Sequence, residues 1–300
     1  MIKAIECFKK SYTLRKVMSE NREETVCPLC GSKKERFLFL KESFRIVECR
    51  DCSLVYVNPR MSKQALEKAY NVNKISPMDY YQESEFGDKK AFGKRLKLIE
   101  RFTKCKGKML DVGCNVGTFL EVAKESGWDC FGIDVNKGVA DDCAKRGIKF
   151  FATTIEKAKF KKEFFDVVIL NDVLEHVHKP VKFMQSVCKL LKKGGIVFLV
   201  TPNIKSLTAK VLRKRWHHLK PDEHLTYFSL NTLKVLLKKQ KLDILLWKHV
   251  SRDRSFGIIF NKAASFGFAP DLNRFIPKDL QRITFPLNTF DELCIVAKKV

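Results

Sequence analysis

The chain has 300 residues, 45% of them hydrophobic and 24 of them phenylalanine, so it can bury one full core and a smaller appendage. No apolar run approaches the roughly 18 residues of a membrane span, and no signal-peptide pattern opens the sequence, so a cytoplasmic protein is expected. Basic residues outnumber acidic ones by 58 to 34, and the net charge of +24 favours polyanions, acidic small molecules or an anionic membrane surface as partners.

The first motif along the chain is a spaced set of cysteines. Residues 1–24 precede it with a weak helical pattern, which predicts an N-terminal helical extension. Within residues 25–60, two C-x2-C pairs lie eighteen residues apart, formed by Cys27, Cys30, Cys49 and Cys52. Because each pair places two thiolates at neighbouring corners of a tetrahedron, we predict a zinc ribbon; a reduced set without metal is the alternative. A zinc ion held by four thiolates has no open coordination position for catalysis, so a structural role is expected. The alternative is a ribbon that also helps to bind a substrate such as RNA.

The stretch Lys108–Leu120 organises the rest of the chain. It follows a region of helical pattern at residues 61–105 and reads as a buried strand, a glycine-marked turn and the start of a helix. Asp111 stands where the strand ends, and a carboxylate there would repel a dinucleotide's pyrophosphate but attract an ammonium or sulfonium group. Asp134 ends the second strand, seventeen residues after Gly117, where it can accept both ribose hydroxyls of an adenosine-containing ligand.

Three runs of sequence together resemble one known family. The turn DVGCNVG, residues 111–117, resembles motif I of the class I S-adenosylmethionine (SAM) methyltransferases, usually D/E-x-G-x-G-x-G. Asn115 replaces the middle glycine, and asparagine is the commonest non-glycine residue at positive φ, so the turn is expected to survive. FFDVVILNDVLEHVHKP and LLKKGGIVFLVTPN resemble the family's fourth-strand segment and its helix–GG–strand element. The cysteine-rich run resembles the small ribbon ahead of the core in many bacterial and archaeal members.

The alternating strands and helices predict an α/β fold, and the family resemblance indicates which α/β architecture is expected. It implies a Rossmann-like, seven-stranded, mainly parallel sheet with helices on both faces, in which the last strand inserts antiparallel. Residues 106–300 would form this methyltransferase domain, with basic insertions at 203–228 and 250–290. Residues 61–105 would form a helical lid or linker before it.

The resemblance also implies a SAM site. Asp111 and the turn amides would hold the methionine end, Asp134 the ribose, and Asn171 would lie near the methionine part. Ile155 stands where the family contacts the adenine. The predicted cofactor-binding set is Asp111, Gly113, Cys114, Asn115, Gly117, Asp134, Val135, Ile155 and Asn171.

Two groups of residues are candidates for the acceptor side of the site. In the resembling family, an H-L-x-x-F run lines the acceptor pocket, and His224 occupies that position here. An imidazole suits deprotonation of a hydroxyl, so His224 is the candidate general base; the alternative is that it positions substrate or caps a helix. The run Asp172-x-x-Glu175-His176 could hold Mg²⁺. Bracing of the loop by hydrogen bonds is the favoured alternative, because Mg²⁺ prefers oxygen ligands over imidazole.

The predicted function is methyl transfer from SAM to an oxygen or nitrogen of an anionic small-molecule, glycan or lipid-linked acceptor. One alternative is an RNA methyltransferase whose ribbon and basic surface grip phosphates, although NDVL replaces the N-P-P-Y signature of exocyclic-amine methylation. Another is a non-catalytic SAM-binding protein. The insertion at 250–290 would cover a hydrophobic acceptor, rest on an anionic membrane or simply pack on the core. The identity of the acceptor and the oligomeric state stay open.

Overall fold

The computed structural model describes residues 21–66, 78–250, 252–255, 284–287 and 290–300. Most of the predicted N-terminal extension and most of the basic insertion at 250–290 lie outside these ranges. The described ranges comprise the ribbon region, the main α/β body and the C-terminal strand.

The ribbon region contains two small antiparallel sheets. Its strands are β1 (Arg22–Glu23), β2 (Glu35–Lys41), β3 (Phe44–Cys49), β4 (Val55–Val57) and β5 (Arg60–Met61). Strands β2, β3 and β4 form a meander, and β1 pairs with β5. Side chains alternate between two buried faces, as the period of a strand requires: Val47 and Tyr56 join the core of the main body, while Ile46 and Val57 enter a second apolar cluster.

The main body alternates strands and helices as predicted. In chain order its elements are α1 (Met78–Glu100), β6 (Lys108–Val112), α2 (Thr118–Glu125), β7 (Asp129–Asp134), α3 (Ala140–Lys145), β8 (Lys149–Ala152), β9 (Phe165–Asn171), α4 (Pro180–Leu190), β10 (Leu191–Pro202), α5 (Leu207–Leu212), β11 (Thr226–Tyr227), α6 (Leu230–Lys239), β12 (Leu242–His249), β13 (Arg252–Ser255), β14 (Thr284–Leu287) and β15 (Glu292–Lys299).

Seven strands form one sheet in the order β12-β15-β10-β9-β6-β7-β8. The five strands from β10 to β8 are parallel, and β15 lies antiparallel between β10 and β12. This confirms the predicted seven-stranded, mainly parallel sheet with an inserted antiparallel last strand. The carboxyl ends of the parallel strands share one edge, where ligands of such sheets bind. Glu292 pairs with Pro202, so the start of β15 reaches the same edge.

The segment after β10 joins the two sheets. Thr226 of β11 pairs with Tyr56, and the Val57 N–H donates to the Leu225 carbonyl at 3.0 Å. Residues 203–228, predicted as a basic insertion of the methyltransferase domain, thus supply the fourth strand of the ribbon's sheet. A strand paired across so great a sequence separation leaves no local pattern, because its partner is set by tertiary packing.

Several local features follow from the sequence. Ser229 caps α6 and forms a capping box with Thr232. A 3₁₀ turn, Lys137–Val139, precedes α3, and the Asn136 side chain accepts the Gly138 N–H at its start. The stretch after β12 contains the antiparallel pair β13–β14. No helix among the described residues is long and apolar enough to cross a membrane.

Candidate active site

The turn between β6 and α2 bends closely over the end of β7. Asn115 has a φ of 48° and Gly117 a φ of 81°, so both are left-handed, which confirms the conformation expected of Asn115. The Gly113 N–H donates to the Ile133 carbonyl at 2.8 Å, and the Asn115 N–H donates to Asp134 Oδ2 at 3.0 Å. Main-chain hydrogen bonds to the neighbouring strand therefore fix the shape of this turn.

Two glycines of the turn are required for two reasons: their φ angles are positive, and neighbouring side chains leave no room for a Cβ. A Cβ on Gly113, whose φ is 74°, would lie 2.8 Å from Val173 Cγ2. A Cβ on Gly117 would lie 2.5 Å from Ile148 Cδ1. Any larger residue at either position would both strain the backbone and displace a packed side chain.

The Asp134 carboxylate holds the turn and faces the same edge of the sheet. Its Oδ2 accepts the Asn115 N–H, and its Oδ1 accepts the Asn136 N–H at 2.8 Å. Burial raises the pKa of Asp134, and these backbone donors oppose that rise. Each carboxylate oxygen has two lone pairs, so both oxygens can still accept a hydroxyl hydrogen.

Asp111 is a buried acid at the end of β6. It is 3% exposed, and its Oδ1 has no hydrogen-bond partner among the described residues. Burial raises its pKa well above the usual range, repulsion from Asp134 adds to the rise, and the Arg95 guanidinium opposes it. A buried acceptor without a donor is costly, and a cationic donor would relieve that cost.

Arg95 of α1 is a site residue that the sequence interpretation missed. Its Nη1 donates to Asn171 Oδ1 at 3.1 Å, at the end of β9. The Asn171 Nδ2 has no hydrogen-bond partner in the described part of the chain. A signal existed: Arg95 shares a helix face with buried Ala91 and Ile99, four residues away on either side. A buried arginine on an apolar face usually has a charged or polar partner.

The remaining cofactor residues predicted from the resemblance lie in different environments. Cys114 is buried against β7, where a Cβ on Gly132 would meet its Sγ at 2.7 Å. Val135 is exposed just past β7, whereas Ile155 is buried in the main core. Contact of these side chains with a cofactor stays a prediction.

Two histidines lie edge to face beyond the ends of β9 and β10. The ring centroids of His176 and His224 are 4.7 Å apart. His224 Nδ1 lies 2.7 Å from the His218 carbonyl, and His176 Nδ1 lies 3.0 Å from the Glu223 carbonyl. A carbonyl can only accept, so each Nδ1 carries a hydrogen, and in the neutral form of either ring the lone pair is on Nε2. Burial lowers the pKa of His176 to about 4, which keeps that ring neutral near pH 7.

Glu175 completes this group. Its Oε2 accepts the Thr201 hydroxyl at 2.9 Å, and its Oε1 has no hydrogen-bond partner among the described residues. Burial raises the pKa of Glu175 well above its usual range, and Asp172 adds repulsion. One ligand atom each of Glu175, His176 and His224 lies within 4.8 Å of the others. The hydrogen bonds of Glu175 and His176 are those expected of a braced loop.

Comparison with known proteins identifies the family. Residues 82–246, more than half of the chain, match the family model described as a methyltransferase domain. The chain belongs to this methyltransferase-domain family. It is 34% identical over 126 residues to a ubiquinone biosynthesis O-methyltransferase of Methylococcus capsulatus, covering 39% of this chain and 53% of that one. It is 32% identical over 168 residues to the enzyme of the same name from Caulobacter vibrioides, covering 51% and 63%. The match thus spans little more than half the length of these curated relatives.

Solved structures show the same fold for this methyltransferase-family protein. A SAM-dependent methyltransferase from Archaeoglobus fulgidus superposes with a TM-score of 0.52 at 20% identity, covering 73% of this chain and 99% of that one. The complex of the Haloferax volcanii Trm112 methyltransferase activator with a putative methyltransferase gives a TM-score of 0.54 at 14% identity, covering 76% and 96%. The predicted resemblance to SAM-dependent methyltransferases is thereby confirmed at the level of fold.

The four spaced cysteines of this methyltransferase-family protein converge in the ribbon region. Cys27 Sγ lies 3.5 Å from Cys52 Sγ, and Cys30 Sγ lies 3.5 Å from Cys49 Sγ. All four sulfur atoms lie within 4.8 Å of one another. A tetrahedral zinc ion with Zn–S bonds of about 2.3 Å separates its sulfurs by about 3.8 Å, so the arrangement fits such an ion. The Lys239 Nζ donates to the carbonyl of Leu29, which lies between Cys27 and Cys30, at 2.9 Å. This hydrogen bond links the four-cysteine site to α6.

Proposed function

We propose that this protein transfers a methyl group from SAM to an oxygen or nitrogen of an anionic small-molecule, glycan or lipid-linked acceptor. The observation that carries the proposal is that buried polar atoms of Asp111 and Asn171 have no hydrogen-bond partner among the described residues, at the sheet edge beyond which the oriented ring of His224 lies. The two polar atoms would hold the cofactor, and the ring would take a proton from the acceptor. Zinc in the four-cysteine site is part of the proposal and would have a structural role.

The cofactor would be held by complementary polar atoms. Asp111 Oδ1 is a buried acceptor and Asn171 Nδ2 a buried donor, and neither has a hydrogen-bond partner among the described residues. The amino-acid end of SAM offers the opposite pair, an ammonium donor and a carboxylate acceptor. Arg95 adds a positive charge beside Asn171, and Asp134 can accept hydroxyl hydrogens of the ribose. These residues fit the cofactor, which when bound supplies an electrophilic methyl group.

His224 would act as the general base. Its Nδ1–H donates to the His218 carbonyl, which fixes the ring, and Nε2 would be the nitrogen that takes a proton from the acceptor. The neutral His176 ring packs against it edge to face and holds its orientation. The chain would thereby convert an acceptor hydroxyl or amine into a better nucleophile while excluding water by burial of these rings.

The proposed acceptor class rests on charge and on the relatives. The net charge of +24 attracts anionic acceptors, and the relatives at 32–34% identity are named as O-methyltransferases of ubiquinone biosynthesis. We therefore favour a small aromatic or lipid-linked hydroxyl over other acceptors.

RNA methylation is the second candidate, favoured by one observation. Strand β11 brings the basic segment 203–228 onto the ribbon's own sheet, where Lys205 Nζ lies 3.5 Å from Glu48 Oε1. The ribbon and the basic segment could therefore grip phosphates together. RNA binding whose affinity falls steeply with salt would favour this candidate, since each phosphate contact releases counterions.

The test separates cofactor binding from chemistry. SAM affinity is measured by calorimetry, and methyl transfer is measured from radiolabelled SAM to catechols, anionic glycans, lipid extracts and RNA. For His224→Gln we expect turnover to fall about 10²- to 10⁴-fold with SAM affinity unchanged. His249→Gln is the matched control, because this histidine lies on β12, outside the group around His224. Unchanged turnover in His224→Gln would remove His224 from the mechanism, and absence of SAM binding would refute the proposed function.

A further inference from the structure

A further group of side chains with the chemistry of metal ligands lies beside the histidines of the candidate active site. His217 and His218 follow α5, and Asp291 directly precedes β15. His217 Nε2 lies 3.5 Å from Asp291 Oδ2, and His218 Nε2 lies 3.8 Å from the same oxygen. The three ligand atoms all lie within 4.8 Å of one another. We propose that His217, His218 and Asp291 bind a divalent transition-metal ion of the Zn²⁺ or Co²⁺ type, separate from the four-cysteine site.

The distances suit a tetrahedral ion. Bonds of about 2.0–2.1 Å to imidazole nitrogen and carboxylate oxygen separate the ligand atoms of such an ion by about 3.3–3.5 Å. The two nitrogen–oxygen separations of 3.5 and 3.8 Å need shifts of only a few tenths of an ångström to close on the ion. Side-chain rotation alone can supply such shifts.

The backbone and an outer partner hold these ligands in place. The Asp291 carbonyl accepts the Asn203 N–H at 2.7 Å, which ties the start of β15 to the end of β10. The Trp216 indole N–H donates to Asp291 Oδ2 at 3.4 Å, and this indole is fully buried in the second apolar cluster. Hydrogen bonds of this kind orient the ligands of protein metal sites and tune their affinity.

The local charge also favours a divalent ion. Asp291 and Glu292 are consecutive and each is 2% exposed, while Arg95 Nη2 lies 4.0 Å from Glu292 Oε2 and supplies one permanent positive charge nearby. His218 Nε2 also lies 3.5 Å from Glu292 Oε1, so two buried carboxylates lie beside this nitrogen. A divalent ion bound here would offset their negative charge.

The ligand set indicates the class of ion. Two imidazoles and one carboxylate suit Zn²⁺, Co²⁺, Ni²⁺ or Fe²⁺, whereas Mg²⁺ prefers oxygen ligands. Three protein ligands leave a further coordination position for water or for an oxygen of a bound molecule. The His218 carbonyl also accepts His224 Nδ1–H at 2.7 Å, so an ion here would lie next to the candidate base.

Cobalt is the probe for this site, because its spectrum separates nitrogen and oxygen ligands from sulfur. The full chain is stripped with a chelator, loaded with one equivalent of Zn²⁺ and titrated with Co²⁺. X-ray absorption at the cobalt edge then counts the two kinds of ligand. We expect one equivalent of Co²⁺ with a nitrogen and oxygen shell. His218→Gln and Asp291→Asn should each weaken its binding more than about tenfold, since even outer-shell changes cost 10- to 100-fold.

Matched variants make the result specific. His178→Gln is the control, because His178 Nε2 lies 2.9 Å from the Met61 carbonyl and a glutamine amide can donate the same hydrogen bond. Folding of every variant is checked by circular dichroism. The side chain of His217 is 27% exposed, more than that of His218, so His217→Gln is the ligand variant least able to disturb the core. Cobalt bound only by sulfur would overturn the proposal. So would nitrogen-bound cobalt that persists in Asp291→Asn but is lost in Glu175→Gln. The experiment measures metal binding, so its result does not depend on whether the protein transfers methyl groups.

Discussion

The two halves of the candidate active site are assembled in different ways. Most of the cofactor half comes from one segment, residues 108–136, whose turn is tied to the Asp134 carboxylate by main-chain hydrogen bonds, and Arg95 and Asn171 are added to it from α1 and β9. The acceptor half gathers Glu175, Thr201 and His224 from three separate parts of the chain. A locally closed segment keeps its geometry by itself, whereas the acceptor half depends on the packing of two sheets against each other.

A chain of hydrogen bonds shows this dependence. The Val57 N–H donates to the Leu225 carbonyl at 3.0 Å, and the Leu225 N–H donates to the Glu175 carbonyl at 2.8 Å. The ribbon's sheet therefore sets the position of the loop that carries His224. Disturbing the ribbon should change the acceptor half and spare the cofactor half.

The largest expected effect is that of losing the ribbon's metal. Zinc is expected at one equivalent in the four-cysteine site by elemental analysis, and we predict that Cys27→Ser with Cys52→Ser removes it. Because structural zinc contributes about 10 kcal/mol in small zinc domains, amide hydrogens of the ribbon sheet and β11 should exchange much faster. Turnover should fall at least about tenfold, as expected for a displaced general base. SAM affinity should change less than about twofold, a loss below about 0.4 kcal/mol.

The control is Cys105→Ser, an exposed cysteine outside the four-cysteine group. The comparison between the two halves would fail if SAM affinity fell as much as turnover. It would also fail if the amide hydrogens of β11 kept their protection.

A smaller effect is expected at the acid that would receive the cofactor's ammonium group. Burial raises the pKa of Asp111 in the free protein, and a bound cation favours the ionised carboxylate. SAM binding should therefore release a proton, and affinity should rise as pH increases from the ordinary aspartate range toward the raised pKa. Asp111→Asn should weaken binding about 10- to 100-fold and remove this pH dependence.

Calorimetry in buffers of different ionisation enthalpy measures the proton release directly. Wild-type affinity that is independent of pH over this range would contradict the assignment of Asp111. Asn115→Gly serves as the reference variant, since it restores the family's usual glycine in the same turn and should leave the proton release unchanged.

The smallest expected effect is on the free energy of unfolding. It compares Gly117, whose backbone and surroundings both oppose a side chain, with Gly93, whose surroundings leave room for one. Gly117→Ala should cost about 1–2 kcal/mol of unfolding free energy, because the left-handed φ of 81° and the contact with Ile148 both oppose a Cβ. Gly93→Ala in α1 is the matched control, since no atom lies within 4 Å of its Cβ position, and it should stabilise the protein by about 0.5–1 kcal/mol. Urea denaturation measures both. Equal effects of the two substitutions would show that the turn is not constrained as described.

Much of the fold could be predicted from the sequence. The strand–turn–helix at residues 108–125, the helix cap at Ser229 and the antiparallel last strand all follow from local patterns or from the family resemblance. Arg95 could be recognised as a polar residue on an apolar helix face, but the pattern of α1 does not show that its partner is Asn171. The site on His217, His218 and Asp291 joins residues more than seventy positions apart, so no spacing in the sequence indicates it.

The glycine turn at residues 111–117, the order of strands and helices, and the four spaced cysteines can all be recognised in the sequence. Each of these is encoded within a short segment, through glycine conformation, hydrophobic period or ligand spacing. The tertiary structure alone decided that β11 joins the ribbon's sheet and that Glu175, His176 and His224 meet. Those contacts arise from the burial of apolar faces that are distant in the chain, and the free energy of such packing depends on the whole fold rather than on any local pattern.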